Sequence, residues 1–174
     1  MKAKEIYKEL ETISASLVTY SQNLSNTEAN KTSNNKWSVN QNINHLTLSI
    51  KPINKALKLP KLVLRSLFKK PSRPLKKYDE VIASYQKMLS EGAKASGKYV
   101  PNKSPSFNSE SLIMAYVSET KLLLNILSKW NENQLDSFFL PHPLLGKLSI
   151  RELMYFTIYH TKHHFNTIKK YTNE

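Results

Sequence analysis

The sequence predicts an all-α protein: a four-helix bundle with a long crossover connection between its second and third long helices. Three observations predict it. Four segments carry apolar side chains at i, i+3/i+4 spacing, the period of an amphipathic helix. Two of them open on Ser-x-x-Gln/Glu, the capping box that satisfies orphan N–H groups at a helix start. The connection spanning roughly 59–108 is long enough to carry the chain across the bundle, where a short loop would force antiparallel neighbours. No convincing alternating strand and no internal repeat is read, and residues 1–174 are expected to form one domain.

The first helix runs from about Ala3 to Asn23, with Ile6, Leu10, Ile13, Leu17 and Tyr20 on one face, and the polar run SNTEANKTSNNK closes it. The second begins at Ser38, whose box is completed by Gln41, and buries Val39, Ile43, Leu46, Ile50, Ile53 and Leu57. Pro52 lies inside it and is expected to kink it or end its regular part. Within the crossover, Tyr78–Glu91 has helical spacing and is followed by the breakers Gly92, Gly97 and PNKSP. The third long helix covers about Ser109 to Trp130, and the fourth opens at Ser149-Ile150-Arg151-Glu152 and runs to about Tyr171.

Composition narrows the function. Hydrophobic residues make up 40% of a chain of 174 residues, enough for a substantial core. With three glycines and no G-x-G-x-x-G or Walker pattern, a phosphate-cradling loop is disfavoured. The absence of cysteine excludes disulfides, zinc ribbons and a catalytic thiol, and suits a cytoplasmic location. The N-terminal MKAKEIYKELETISASL lacks a continuous apolar stretch, so it does not read as a signal peptide, and no segment reaches membrane-span length. The formal charge of +13 is concentrated in KLPKLVLRSLFKKPSRPLKK (58–77), with eight Lys/Arg and no acid. Charge alone specifies a partner weakly, and Leu62, Leu67 and Phe68 of this segment are expected to pack onto the bundle as part of the crossover.

The chemistry lies in TIYHTKHHFN (157–166), which holds three of the five histidines. At about 100° per residue, Ile150, Met154, Thr157, Thr161, His164 and Ile168 share one line, with Leu153, His160 and Tyr171 on its shoulder. His163 falls off that line beside Glu152, Tyr159 and Lys170, on the expected outer surface. His160 and His164, at i and i+4, therefore form the pair that meets on one face. A divalent metal site of the open type uses three protein ligands. The third would be His45, on the shoulder of the second helix, His142 in the loop PHPLLGK, or a carboxylate, and spacing does not choose among them. The competing reading is a pair of core histidines hydrogen-bonded to Thr157, Thr161 or a tyrosine. There is no H-E-x-x-H, so the helical glutamate base of metalloproteases is absent.

KWSVNQNINHL (36–46) and HPLLGKLSIRELMYFTIYHTKHHFNTIKK (142–170) together resemble the DinB/YfiT-like metal-binding four-helix bundles. The first matches their Trp-Ser/Thr-x-x-Gln/Glu…His-Leu helix start, and the second their Gly-x-Leu-Ser/Thr lead into a last helix with H-x-x-x-H. The resemblance spans most of the chain but covers 58–108 poorly. It implies a three-histidine site at His45, His160 and His164, holding a divalent ion such as zinc or nickel, with no ligand role for His142. It also implies a metal-dependent enzyme that activates a low-molecular-weight thiol, as an S-transferase, or water, as a hydrolase. Lacking cysteine, the chain would receive any thiol as cosubstrate. Trp37 and Ser38 read as structural, a staple and a cap. A small-molecule substrate and a homodimer are the expected partners. The alternative is a non-catalytic basic protein whose 58–77 segment touches an anionic membrane or nucleic acid.

Overall fold

The first long helix, α1 (Ala3–Gln22), sets its apolar stripe of Ile6, Leu10 and Leu17 into the core. We describe it and the rest of the chain from a computed structural model covering residues 1–32, 36–101 and 107–172. After α1 come a short α2 (Asn26–Asn30), α3 (Val39–Leu57), α4 (Lys61–Leu67) and α5 (Tyr78–Ser90). A 3-10 turn at Gly97–Tyr99 then leads toward α6 (Ser109–Leu127), α7 (Glu132–Ser137), the strands β1 (Phe139–His142) and β2 (Gly146–Ser149), and α8 (Ile150–Thr172). The four long helices stand where the periodicity puts them. Most of the expected PNKSP breaker lies outside the described residues.

Around the bundle the long helices follow the order α1, α6, α3, α8. Their polar ties give the directions. Asn40 Nδ2 donates to Ser109 Oγ and Asn54 Nδ2 to the Glu119 carbonyl, both at 2.9 Å, so α3 and α6 run parallel. Lys162 pairs with Glu9 and Tyr20 with Thr172, so α1 and α8 also run parallel. Parallel neighbours cannot be joined by a tight turn, which is why the 58–108 crossover exists. Inside it, α5 lies along α8, where Tyr85 meets Phe156 edge to face.

Capping follows the sequence. Gln41 N donates to Ser38 Oγ and Ser38 N to Gln41 Oε1, so the start of α3 is pinned. Pro52 does not end α3, one of its two expected effects: the helix continues through it to Leu57. Pro52 cannot donate to the preceding turn. Buried Ile50, Ile53 and Leu57 and the Asn54 tie to α6 hold both sides of that gap in place. Each such fully buried aliphatic side chain contributes about 1.5–3 kcal/mol.

Two further expectations are corrected. No strand was expected, yet Phe139–His142 and Gly146–Ser149 pair antiparallel in a small hairpin. Its strands have four residues each, and Pro141 interrupts the first, so neither shows an alternating pattern. The bend ends at Gly146, whose φ of +71° suits glycine. Glu152, expected on the outer surface of the last helix, is buried. The crossover covers that face, where Arg73 grips the Glu152 carboxylate at 2.7 and 2.9 Å and Lys76 N donates to it at 2.6 Å. Burial pushes the carboxyl pKa up, but Arg73 and the N–H groups of Lys76 and Ser149 outweigh it and hold it below its ordinary value.

Candidate metal centre

His45 sits two turns into the capped start of α3, and His160 and His164 lie one turn apart on α8, which runs antiparallel to α3. The capping box fixes where α3 begins, and so which side of the helix His45 faces. The structure brings these three residues together, all buried. They are the group of histidines, cysteines and carboxylates, among the described residues, whose ligand atoms converge as a metal site needs. His163 stands aside, half-buried, stacked on Tyr159 and edge-on to Tyr85.

The outward nitrogens determine the chemistry of the inward ones. His45 Nδ1 lies 2.6 Å from the Tyr99 carbonyl, an acceptor only, so Nδ1 carries the proton. His164 Nδ1 lies 2.7 Å from Asn42 Oδ1. Asn42 Nδ2 donates to the carbonyls of Trp37 and Ser38, so its oxygen is what faces His164, and His164 Nδ1 is also a donor. Both histidines therefore turn a bare Nε2 lone pair inward. His160 Nε2 is 3.1 Å from each.

Burial lowers the pKa of all three imidazoles, most strongly for His160 and His164, and the neighbouring histidines add to the effect. They are neutral ligands at physiological pH. A single proton on His160 Nε2 cannot satisfy two lone pairs well, whereas one cation at the centre satisfies all three. Two imidazole nitrogens on a tetrahedral zinc ion, each at about 2.0–2.1 Å, stand about 3.3 Å apart, close to the spacing seen here. The residues fit a divalent ion. Thr157 and Thr161, two of the partners in the competing reading of core histidines bonded to threonines or a tyrosine, donate to the Leu153 and Thr157 carbonyls of their own helix, and the outward partners of His45 and His164 are the Tyr99 carbonyl and Asn42.

Trp37, expected as a staple for α3, lies against the histidines, and N4 of that helix is the polar Asn42. The Trp37 ring lies 4.9 Å from His45 and 6.2 Å from His164, nearly parallel to the latter, and shields that side of the cluster. On the other side, a cavity of about 270 Å³ reaches His45 and His160. Its walls are mainly apolar: Ile53 and Ala56 of α3, Phe68, Tyr85 and Leu89 of the crossover, Leu140 of the hairpin and Phe156 of α8.

His142 lines this cavity rather than joining the cluster. Its Nδ1 accepts the backbone N–H groups of Leu144 and Leu145, each at 3.2 Å, so the neutral ring carries its proton on Nε2. Burial against Phe156, at 4.2 Å between ring centroids, takes its pKa down to about 4. It presents an uncharged N–H donor in an apolar chamber. The Tyr99 carbonyl has no sequence signature. Asn42 had one, lying one helical turn before His45 and next to it on the unrolled helix.

Residues 9–168 match the DinB superfamily. Among solved structures the chain is similar to "YfiT from Bacillus subtilis", described as "a probable metal-dependent hydrolase with an unusual four-helix bundle topology". The two are 16% identical, with a TM-score of 0.61 over 97% of this chain and 84% of the other, a likeness of fold. No curated protein matches the sequence.

Proposed function

The chain belongs to the DinB superfamily, and from that premise we propose that it is a metal-dependent enzyme of hydrolase or thiol S-transferase type. His45, His160 and His164 hold one divalent ion, zinc or nickel, through their Nε2 atoms. The observation that carries the reading is the convergence of three neutral imidazoles, two of which have the outward nitrogen engaged as a donor. An ion held by uncharged ligands alone keeps its full charge and supplies Lewis acidity, lowering the pKa of a water or thiol that joins it.

The chain's own groups do the rest. Asn42 and the Tyr99 carbonyl hold His164 and His45 in the tautomer a cation requires. Trp37 excludes water from the closed side. The cavity binds the apolar body of a small electrophile beside His45 and His160, and His142 Nε2 donates to an acceptor oxygen on it. Because the chain has no cysteine, a thiol nucleophile enters as cosubstrate.

Elemental analysis of protein purified without a metal-affinity tag tests the site. One equivalent of zinc or nickel is expected, lost in a His45→Ala/His160→Ala variant; equal metal in both would refute the assignment. Activity of the loaded protein on acyl and haloalkyl electrophiles, with and without added low-molecular-weight thiols, then separates transferase from hydrolase.

A further inference from the structure

The crossover carries an outward face that the metal chemistry does not use. Between Glu28 and Asp79 the chain has no acidic residue, and α4 lies in the middle of that span. The helix is apolar on two sides. Phe68 packs inward as expected and Leu64 is buried, but Leu62 and Leu67, expected to pack as well, are 82% and 59% exposed, with Val63 also on the surface. At 100° per residue, Leu62, Ser66 and Val63 occupy the arc opposite Leu64, with Leu67 on one flank and Lys61 and Arg65 on the other.

We propose that the outer face of α4 and the lysines around it dock this protein on an anionic lipid surface. Leu62, Val63 and Leu67 enter the interface, and Lys58, Lys61, Arg65, Lys69 and Lys70 meet the headgroups. Among the described residues no carboxylate pairs with any of these five cations, so no acid neutralises them, and of the five Lys61 and Arg65 lean over the Trp130 and Phe138 rings. The composition also discriminates between occupants. A second copy seated here would set cation against cation. A nucleic acid would engage the lysines but leave the leucines in water. Only an interface that is both anionic and apolar uses the two together. Phe68, directly after α4, lines the cavity beside the histidines, so the docked element and the chamber wall are one continuous piece of chain.

Cosedimentation of the metal-loaded protein with vesicles of phosphatidylcholine, with and without 30% phosphatidylglycerol, tests this. Binding is expected only to the anionic vesicles, weakening about tenfold or more as salt rises from 50 to 500 mM. Leu62→Asp/Leu67→Asp and, separately, Lys69→Glu/Lys70→Glu should each weaken it by about tenfold, with metal content and thermal midpoint unchanged. These positions are exposed, so folding is not at stake. No binding at low salt overturns the proposal. So does equally tight binding to a DNA duplex that ignores the leucine substitutions, or a dimer in solution that those substitutions abolish.

Discussion

Asn42 Oδ1 stands 2.7 Å from Nδ1 of His164, and the same side chain's amide group donates to the carbonyls of Trp37 and Ser38. The helix start thus orients the amide, and the amide orients a ligand on a different helix. Asn42→Ala should weaken zinc binding about 10–100-fold, the scale for loss of an outer-shell partner. Competition against a chromogenic chelator measures it. Asn40→Ala is the control: that buried asparagine ties α3 to α6 without facing the cluster, so it should cost stability yet leave affinity unchanged. Equal affinity in both variants would refute the positioning role.

Trp37 offers a direct optical report. Its ring contacts those of His45 and His164, whereas Trp130, the other tryptophan, packs on Phe138 under Lys61. Titration with cobalt or copper should quench the Trp37 component. The quench should persist in Trp130→Phe and vanish in Trp37→Phe. Quenching that follows Trp130 instead would place the ion elsewhere.

The two tests separate what was legible in the sequence from what was not. The histidine pair was legible because a helix repeats its face, and the Ser38 box because a cap has a local signature. His45 needed the resemblance, since no single-helix argument brings α3 to α8. Glu152 was misread because a helical wheel cannot know that Arg73, 79 residues away, covers that face. The segment around α4 was half legible: the wheel shows that it is amphipathic, but only the packing shows that Leu64 goes in while Leu62 stays out.

His142 predicts a pH dependence. Its folded-state pKa of about 4 lies below the ordinary 6.5, so the unfolded chain takes up the proton first as pH falls. Its contribution is complete above about pH 6.5 and is lost on descent toward 4, a span worth about 3 kcal/mol. His142→Asn retains an acceptor for the Leu144 and Leu145 amides while removing the titration. Urea unfolding across pH 7 to 4 should therefore show the variant losing stability less steeply than the wild type. Parallel curves would mean that the imidazole is not desolvated.

The Arg73–Glu152 pair predicts how the crossover is fastened. Glu152 accepts from Ser149 N at the head of α8 and from Lys76 N and Arg73 in the crossover, so one carboxylate joins a helix cap to a strap. Arg73→Met leaves that charge buried with two backbone donors, at a cost of about 3 kcal/mol. Arg73→Met/Glu152→Gln removes the charge while keeping an acceptor, and should be more stable than Arg73→Met alone. The carboxyl pKa is held below its ordinary value, so the pair's contribution is present above about pH 4.5 and lost as pH falls through the lowered value. The cost of Arg73→Met should therefore be largest near neutrality and shrink in acid. Because the strap precedes α5, which walls the cavity with Tyr85 and Leu89, protease cleavage within 68–77 should also speed up in Arg73→Met. A variant as stable and as resistant as the wild type would show that the pair is not what holds the crossover down.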